Sequence, residues 1–182
     1  MKKMVTKEFT LHPFTDIGVS SQLRVTGEIS RTTDFLYLRY CVSGNRKLIV
    51  WPSREPEQHR CDNLWETTCF ECFIQPEGSD RYLEVNLSPN GCWNMYRFNG
   101  YRMRMKAEPA LQAMSTELCQ EDGAIVLRAS FPLDGLVVVE ESLRTGISCV
   151  LEHPDGTKSY WALQHPAGEP DFHHHDSFLL TL

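Results

Sequence analysis

Residues 22–42, QLRVTGEISRTTDFLYLRYCV, contain two runs in which apolar and polar side chains alternate. In the first run Leu23, Val25 and Ile29 alternate with polar neighbours, and in the second run the even-numbered residues of 36–42 are apolar or aromatic. Successive side chains of a β-strand point to opposite faces, so a period of two indicates strands with one buried face. The stretch therefore predicts two half-buried β-strands.

Short apolar runs of the same kind recur along the chain, separated by turn sequences such as PEGSD, SPNG, EDG and HPDGTK. The candidate strands cover residues 22–29, 35–42, 47–51, 69–74, 82–87, 92–98, 124–131, 146–152, 158–164 and 177–182. About ten short strands with turns between them predict an all-β protein, an antiparallel, jelly-roll-like β-sandwich with at most one or two short helices. Residues 133–146 could carry a helix, and residues 108–121 fit a helix and a strand equally well.

The composition is that of an ordinary globular chain. Of the 182 residues, 41% are hydrophobic and 23% are charged, which predicts a single domain over residues 1–182. The net charge of −6, with both signs interspersed, argues against a nucleic-acid partner, which would need a basic face. The start of the chain, MKKMVTKEFTLHPF, has no apolar run that could form a signal peptide or a membrane helix. We therefore expect a cytoplasmic protein without a membrane partner.

The cysteines fit the same expectation. Seven are scattered through mostly apolar segments, where a thiol acts as a small hydrophobic group, and this usage suits a reducing compartment. Cys69 and Cys72 form a Cys-x-x-Cys sequence, but in a strand their side chains point to opposite faces. We interpret this pair as structural.

The familiar catalytic motifs are absent from the sequence: it has no Gly-rich phosphate loop, no Gly-x-Ser-x-Gly and no His-Glu-x-x-His. Instead, rings and polar groups that could recognise a small molecule are concentrated in one part of the chain, at Trp65, Asn86, Trp93, Tyr96, Phe98, Tyr101 and Arg102. The apolar face of a sugar stacks on an aromatic ring while its hydroxyls need fixed donors and acceptors. This mixture is typical of a carbohydrate site, although any single aromatic residue on a strand is more often part of a core.

Four blocks occur in a fixed order along the chain: NLWETTCFECFI (63–74), RYLEVNLSPNG (81–91), ASFPLDGL (129–136) and PDFHHHDSFLLTL (170–182). Together they resemble the family 9 carbohydrate-binding modules and the bacterial DOMON-like domains related to them. The resemblance spans nearly the whole chain, and its most specific element is a Trp followed six residues later by a Glu that opens a strand. It implies a β-sandwich that binds a sugar between two aromatic rings, without catalysis.

Carried onto this sequence, the resemblance implies that Trp65 and Phe172 are the two stacking rings. It places the hydrogen-bonding carboxylate at Glu71 and the amide at Asn86, and we expect Glu84, Tyr96, Arg102 and His173 to complete the site. Three positions depart from the family, because Phe172 replaces a Trp, Thr68 replaces an acidic residue and Glu84 replaces an Arg. Ring stacking is retained, whereas the polar recognition of a particular sugar does not transfer.

The histidine run near the end of the chain gives an alternative. In an extended segment His173 and His175 share a face, and a third ligand could come from Asp171, Asp176 or His165. The loop could therefore form a transition-metal site of a metal-binding protein or a metal-dependent enzyme. The related modules also bind structural calcium, although no Asp-x-Asp ligand pattern occurs here. We expect no obligatory cofactor, and haem ligation through a Met and a His is a remote alternative.

Two further interpretations stay open. Glu71 and Glu84 on neighbouring strands could act as the acid and base of a glycosidase if their separation and pKa values suited that chemistry. Exposed aromatic residues could instead form a protein–protein interaction surface. The favoured partner remains a carbohydrate or a similar small polar ligand.

Overall fold

The computed structural model describes residues 4–15, 18–138 and 140–182, and it forms 12 β-strands. In chain order they are β1 (Val5–Pro13), β2 (Leu23–Arg31), β3 (Phe35–Gly44), β4 (Cys69–Pro76), β5 (Tyr82–Leu87), β6 (Trp93–Phe98), β7 (Lys106–Ala107), β8 (Ser115–Glu121), β9 (Ala124–Pro132), β10 (Leu143–Glu152), β11 (Lys158–Ala162) and β12 (Leu180–Thr181). The helical segments in these ranges are single 3-10 turns at Ser20–Gln22, Arg46–Leu48, Leu64–Glu66 and His175–Ser177. Among the described residues we find no helix with the length and apolar character needed to cross a membrane.

All strand pairs are antiparallel, and the hydrogen-bonded order is β7-β6-β5-β4-β10-β11-β1-β2-β3-β9-β8, with β12 beside β10. The strand β1 joins the two halves of this sheet, since its residues 5–11 pair with β2 and its last two residues pair with β11. The halves pack on each other: the Tyr40 ring lies 5.0 Å from the Phe70 ring, and the Tyr40 hydroxyl donates to the Glu71 carbonyl at 2.7 Å. The all-β, antiparallel prediction is confirmed, and the sheet is curled around one main core.

Strands β4, β5 and β6 are buried on both faces, which decides where a site can form. Their inward side chains, such as Phe70, Val85 and Met95, belong to the main core. Their outward side chains join Phe178 in a second, aromatic cluster made of Phe73, Tyr82, Tyr96, Phe98 and Phe178. Residues of the C-terminal segment thus cover the outer face of these strands.

Several predicted elements need correction. Residues 47–51 are not a strand, because Arg46–Leu48 is a 3-10 turn and the Trp51 indole donates to the Arg46 carbonyl at 3.2 Å. The strand β1 lies outside every predicted segment, and residues 177–182 contribute only the two-residue β12. The open question at residues 108–121 is settled by β8, which covers Ser115–Glu121. Residues 133–138 form turns rather than a helix, and Val139 of that segment lies outside the described residues.

The outer aromatic cluster depends on a close approach at Gly146 of β10. A Cβ at Gly146 would lie 2.4 Å from Cδ1 of Phe178, and the Phe178 ring stacks on Phe73 with centroids 5.5 Å apart. Only a residue without a Cβ allows the Phe178 ring to lie this close to the sheet.

We predict that Gly146→Ala lowers the free energy of unfolding by about 1–3 kcal/mol, because the added methyl group overpacks the cluster and displaces the Phe178 ring. Chemical denaturation monitored by circular dichroism measures the loss. Gly168→Ala is the control, since a Cβ there meets nothing within 4 Å. Equal stability of the two variants would contradict the proposed packing role.

Candidate functional site

A cavity of about 460 Å³ opens beside the outer aromatic cluster. Its walls come from the outer face of β4 and β5, from β11, from the segment before β4 and from the C-terminal segment. The lining residues are Trp65, Glu66, Glu71, Glu84, Phe98, Arg102, Met105, Val150, Lys158, Tyr160, Pro170, Phe172 and His173. Six of the predicted site residues therefore lie around one cavity.

Trp65 reaches the cavity from a short turn. Asn63 adopts the left-handed conformation (φ 60°) and begins the 3-10 turn Leu64–Glu66, in which Leu64 is buried and Trp65 is half-buried. Asn tolerates this conformation better than most residues, which suits it to the position. The Trp65 ring contacts Tyr96 edge-on, with centroids 5.9 Å apart and planes at 69°. The indole is therefore held in place and stays partly exposed.

Phe172 comes from the C-terminal segment, which Asp171 anchors. The Asp171 carboxylate accepts hydrogen bonds from the Tyr101 hydroxyl at 2.6 Å, from the Arg102 guanidinium at 2.8 Å and from the His173 backbone N–H at 3.2 Å. These donors lower the pKa of Asp171, although burial opposes them as the largest single effect. Phe172 itself is half-buried and lies 6.2 Å from the Tyr160 ring.

His173 presents a ring nitrogen towards Glu84. Its Nδ1 lies 2.8 Å from the Tyr82 hydroxyl, which also accepts the Arg102 backbone N–H at 3.1 Å. Because the Tyr82 hydroxyl accepts the Arg102 N–H, its own proton is available to donate to Nδ1 of His173. The imidazole proton then lies on Nε2, 3.7 Å from the Glu84 Oε2 atom. Burial, followed by the Arg102 charge, lowers the pKa of His173 to about 4, so the ring is neutral at neutral pH.

Glu71 and Glu84 are buried acids on the same face of neighbouring strands, since Glu71 pairs with Asn86, two residues beyond Glu84. Burial raises the pKa of Glu84 to about 7, and burial together with the nearby Glu84 raises the pKa of Glu71 well above its usual range. A protonated carboxyl group can donate a hydrogen bond as well as accept one. The pair can therefore serve hydroxyl groups of a neutral ligand in both directions.

Two predicted ligand-binding residues lie below the cavity wall. Asn86 is fully buried, and its amide donates to the Glu84 Oε1 atom at 2.8 Å. Tyr96 is 3% exposed, and its hydroxyl donates to Asp62 at 2.7 Å. Neither residue lines the cavity, although Asn86 is hydrogen-bonded to Glu84 and the Tyr96 ring contacts Trp65, so a direct role of either in ligand binding stays a prediction.

The predicted metal ligands of the histidine loop are not gathered into one ligand set in the described residues. The Asp171 oxygens accept three protein donors, as described above. His173 Nδ1 is engaged by Tyr82, and His175 Nδ1 lies 3.0 Å from the Gln75 amide nitrogen, which can only donate to it. Metal binding at this loop stays a prediction, and in the structure the contacts of these residues attach the C-terminal segment to the sheet.

The sequence interpretation missed Lys158 and Tyr160, which line the cavity from β11. A usable signal existed, because Lys158 and Tyr160 alternate with Ser159 and the buried Trp161. Met105 and Pro170 also line the cavity, but they lie outside the regular strands, where no periodicity indicates their direction.

Comparison with protein-family models gives no match, and comparison with the curated proteins gives none. Among solved structures, the chain is similar to a protein of Bacteroides uniformis ATCC 8492 for which carbohydrate binding has been suggested, with TM-score 0.63 and 16% identity over 92% of this chain and 83% of that one. It is also similar to a family 9 carbohydrate-binding module from Caldicellulosiruptor kristjanssonii in complex with cellotriose, with TM-score 0.51 and 10% identity over 90% and 75% of the two chains. At these identities the similarity establishes a shared fold.

The buried acids give a pH-dependent prediction for stability. Because the pKa of Glu84 is about 7 in the folded chain against 4.5 for the ordinary group, ionisation costs the folded state more than the unfolded state. The contribution of Glu84 to the free energy of unfolding is therefore fully present below about pH 4.5 and is lost as the pH rises through 7. We expect Glu84→Gln to be more stable than the native chain by about 1–3 kcal/mol at pH 8 and nearly equal to it at pH 4.5.

Urea unfolding at both pH values measures this difference. The amide of Glu84→Gln keeps an acceptor for Asn86, so the hydrogen bond is preserved in the variant. Glu8→Gln, which changes an exposed carboxylate on β1, serves as the control. A stability gain of Glu84→Gln that is equally large at pH 4.5 would contradict a raised pKa.

Proposed function

We propose that this chain is a non-catalytic binding module for a carbohydrate or a similar small polar ligand, held between Trp65 and Phe172. The observation that carries the proposal is that these two half-exposed rings, from segments more than a hundred residues apart, line the same cavity. A sugar needs flat apolar surfaces for its C–H face and fixed polar groups for its hydroxyls. Both are present here.

Each polar residue of the proposed site has a distinct role. Glu71 and Glu84 supply carboxyl groups that can donate and accept, and neutral His173 supplies a ring N–H beside Glu84. Arg102, whose side chain is about half-exposed (52%), supplies the cation at the rim while Asp171 fixes its orientation. Two buried acids favour an uncharged, hydroxyl-rich ligand over an anion, because an anion would lose its hydration and would be repelled by either carboxyl group in its ionised form.

The comparisons support this proposal through the fold. The module from Caldicellulosiruptor kristjanssonii was solved with cellotriose, and the resemblance drawn from the sequence implies a ring-stacking site at the corresponding positions. We infer that the curled sheet corresponds to the jelly-roll-like sandwich of those modules. The wider relationship to DOMON-like domains stays a prediction.

The first test is whether the native chain binds a glycan and whether the two rings carry the affinity. We expect a hit on a glycan array and a measurable calorimetric titration with an array-positive oligosaccharide, with cellotriose as the first probe. Trp65→Ala and Phe172→Ala should each weaken binding at least about tenfold, because each loses a stacking surface together with its buried area.

Phe35→Ala is the matched control, since Phe35 is also an exposed aromatic residue (39%) but lies on β3 in the other half of the sheet. It should bind like the native chain. Each variant must also melt cooperatively, which separates a lost contact from a lost fold. Native protein without any array hit, or equal losses in all three variants, would overturn the proposal. Chromatography of the incubated oligosaccharide would reveal cleavage and so test the glycosidase alternative.

A gain in affinity gives an independent prediction. The resemblance implies a Trp where this chain has Phe172, and an indole offers a larger stacking surface than a phenyl ring. We expect Phe172→Trp to tighten binding of the same oligosaccharide severalfold. The same titration measures the change, and a Phe172→Trp variant that binds more weakly than Phe172→Ala would argue against stacking at this position.

A further inference from the structure

Three side chains with metal-binding atoms converge beside Leu64, the residue that precedes Trp65. His59 Nε2 lies 3.8 Å from Cys92 Sγ, and Cys92 Sγ lies 2.9 Å from Cys61 Sγ. All three ligand atoms lie within 4.8 Å of one another, and they form the one such group of His, Cys, Asp and Glu side chains in the described part of the chain. None of the three residues lines the candidate sugar cavity.

Backbone pairing explains why residues 31 positions apart meet here. Arg60 forms a parallel bridge with Trp93: the Trp93 N–H donates to the His59 carbonyl at 3.0 Å, and the Cys61 N–H donates to the Trp93 carbonyl at 3.1 Å. Side chains alternate along such a segment, so His59 and Cys61 lie on the face opposite Arg60. Arg60 in turn packs over the Trp93 ring at 4.5 Å. The bridge therefore places His59, Cys61 and Cys92 on one face.

The orientation of the His59 ring is the second observation. Its Nδ1 lies 3.0 Å from the Glu57 carbonyl oxygen, which can only accept, so Nδ1 carries the proton. The other nitrogen, Nε2, consequently directs a lone pair towards the sulfurs. A ring N–H bonded to a backbone carbonyl, with the opposite nitrogen free to coordinate, is the usual arrangement of metal-ligating histidines.

We propose that His59, Cys61 and Cys92 bind one Zn²⁺ ion. Two thiolates and one imidazole are a preferred ligand set for zinc, and exposed His59 leaves a fourth position open to solvent. The ion has a structural consequence for the sugar site. Cys61 and Cys92 pack with Leu64, the residue before Trp65, so bound zinc would stiffen the segment that presents the indole.

A disulfide between the two cysteines is the competing arrangement. Tetrahedral zinc holds its ligand atoms about 3.5–3.8 Å apart, whereas a disulfide joins its sulfurs at about 2.05 Å. The Sγ–Sγ distance of 2.9 Å lies between these values, and rotation of the half-buried Cys61 side chain can open it. The oriented His59 nitrogen favours the metal, because it supplies a third ligand atom beside the sulfurs, which a disulfide does not require.

The test uses reduced, metal-free protein titrated with Zn²⁺ against a chromophoric chelator, and with Co²⁺ as a spectroscopic substitute. We expect one equivalent of zinc, a cobalt spectrum with thiolate charge-transfer bands, and a higher melting temperature with zinc. Cys61→Ser, Cys92→Ser and His59→Ala should each weaken binding at least about tenfold, since even outer partners of a ligand cost 10–100-fold. Cys41→Ser, at a half-buried cysteine of β3, and His175→Ala in the histidine loop should bind like the native chain.

Thiol alkylation tests the zinc site in the native chain, so its result does not depend on whether a variant folds. Zinc should protect the half-buried Cys61, but not the half-buried Cys41 or Cys119, from the reagent, as mapped by mass spectrometry. The proposal is overturned if the reduced chain binds no zinc, if His175→Ala or Cys41→Ser abolishes the binding, or if Cys61 and Cys92 form a disulfide and bind no zinc after reduction. This outcome is independent of the glycan test.

Discussion

The structure depends on the double-sided burial of β4, β5 and β6. One face of these strands packs in the main core, and the other carries an aromatic cluster that would be exposed without a cover. The C-terminal segment provides that cover by placing Phe178 on the flat surface at Gly146 and on Phe73. Burial of this apolar area, at roughly 25 cal/mol per Å², holds an irregular segment on the sheet together with the hydrogen bonds of Asp171, His173 and His175.

The C-terminal segment also forms one wall of the candidate site. It brings Phe172 and His173 beside side chains that point out of β4 and β5, and it excludes water from Glu71 and Glu84. Burial favours the neutral form of an acid, so it raises the pKa of both carboxyl groups and lets them donate a hydrogen bond when they are protonated. The pKa of Asp171 is lowered rather than raised, because three donors stabilise its charge. One segment therefore holds a carboxylate with a lowered pKa at the rim and covers two acids with raised pKa values inside.

The sequence predicted the parts of the fold that depend on neighbouring residues better than the parts that depend on contacts between distant residues. Alternation identified the long strands β2, β3 and β9, where each residue's direction follows from its neighbours. It failed at residues 47–51, where an apolar run is a 3-10 turn, and it missed β1, whose exposed residues hide the pattern. The resemblance named Trp65 and Phe172, which line one cavity, whereas Asn86 and Tyr96 lie outside its lining, because sequence position does not report depth.

The sequence by itself determined the all-β class, the positions of most strands along the chain and the residue types available for stacking, because period-two burial and ring chemistry are local properties. Only the tertiary structure decided which of these residues meet. Trp65 and Phe172 line the same cavity because the chain returns over β4 and β5 after more than a hundred residues. His59 and Cys61 meet Cys92 because one parallel bridge sets their register. Pairing between distant segments is fixed by backbone hydrogen bonds and shared burial, which no local pattern encodes.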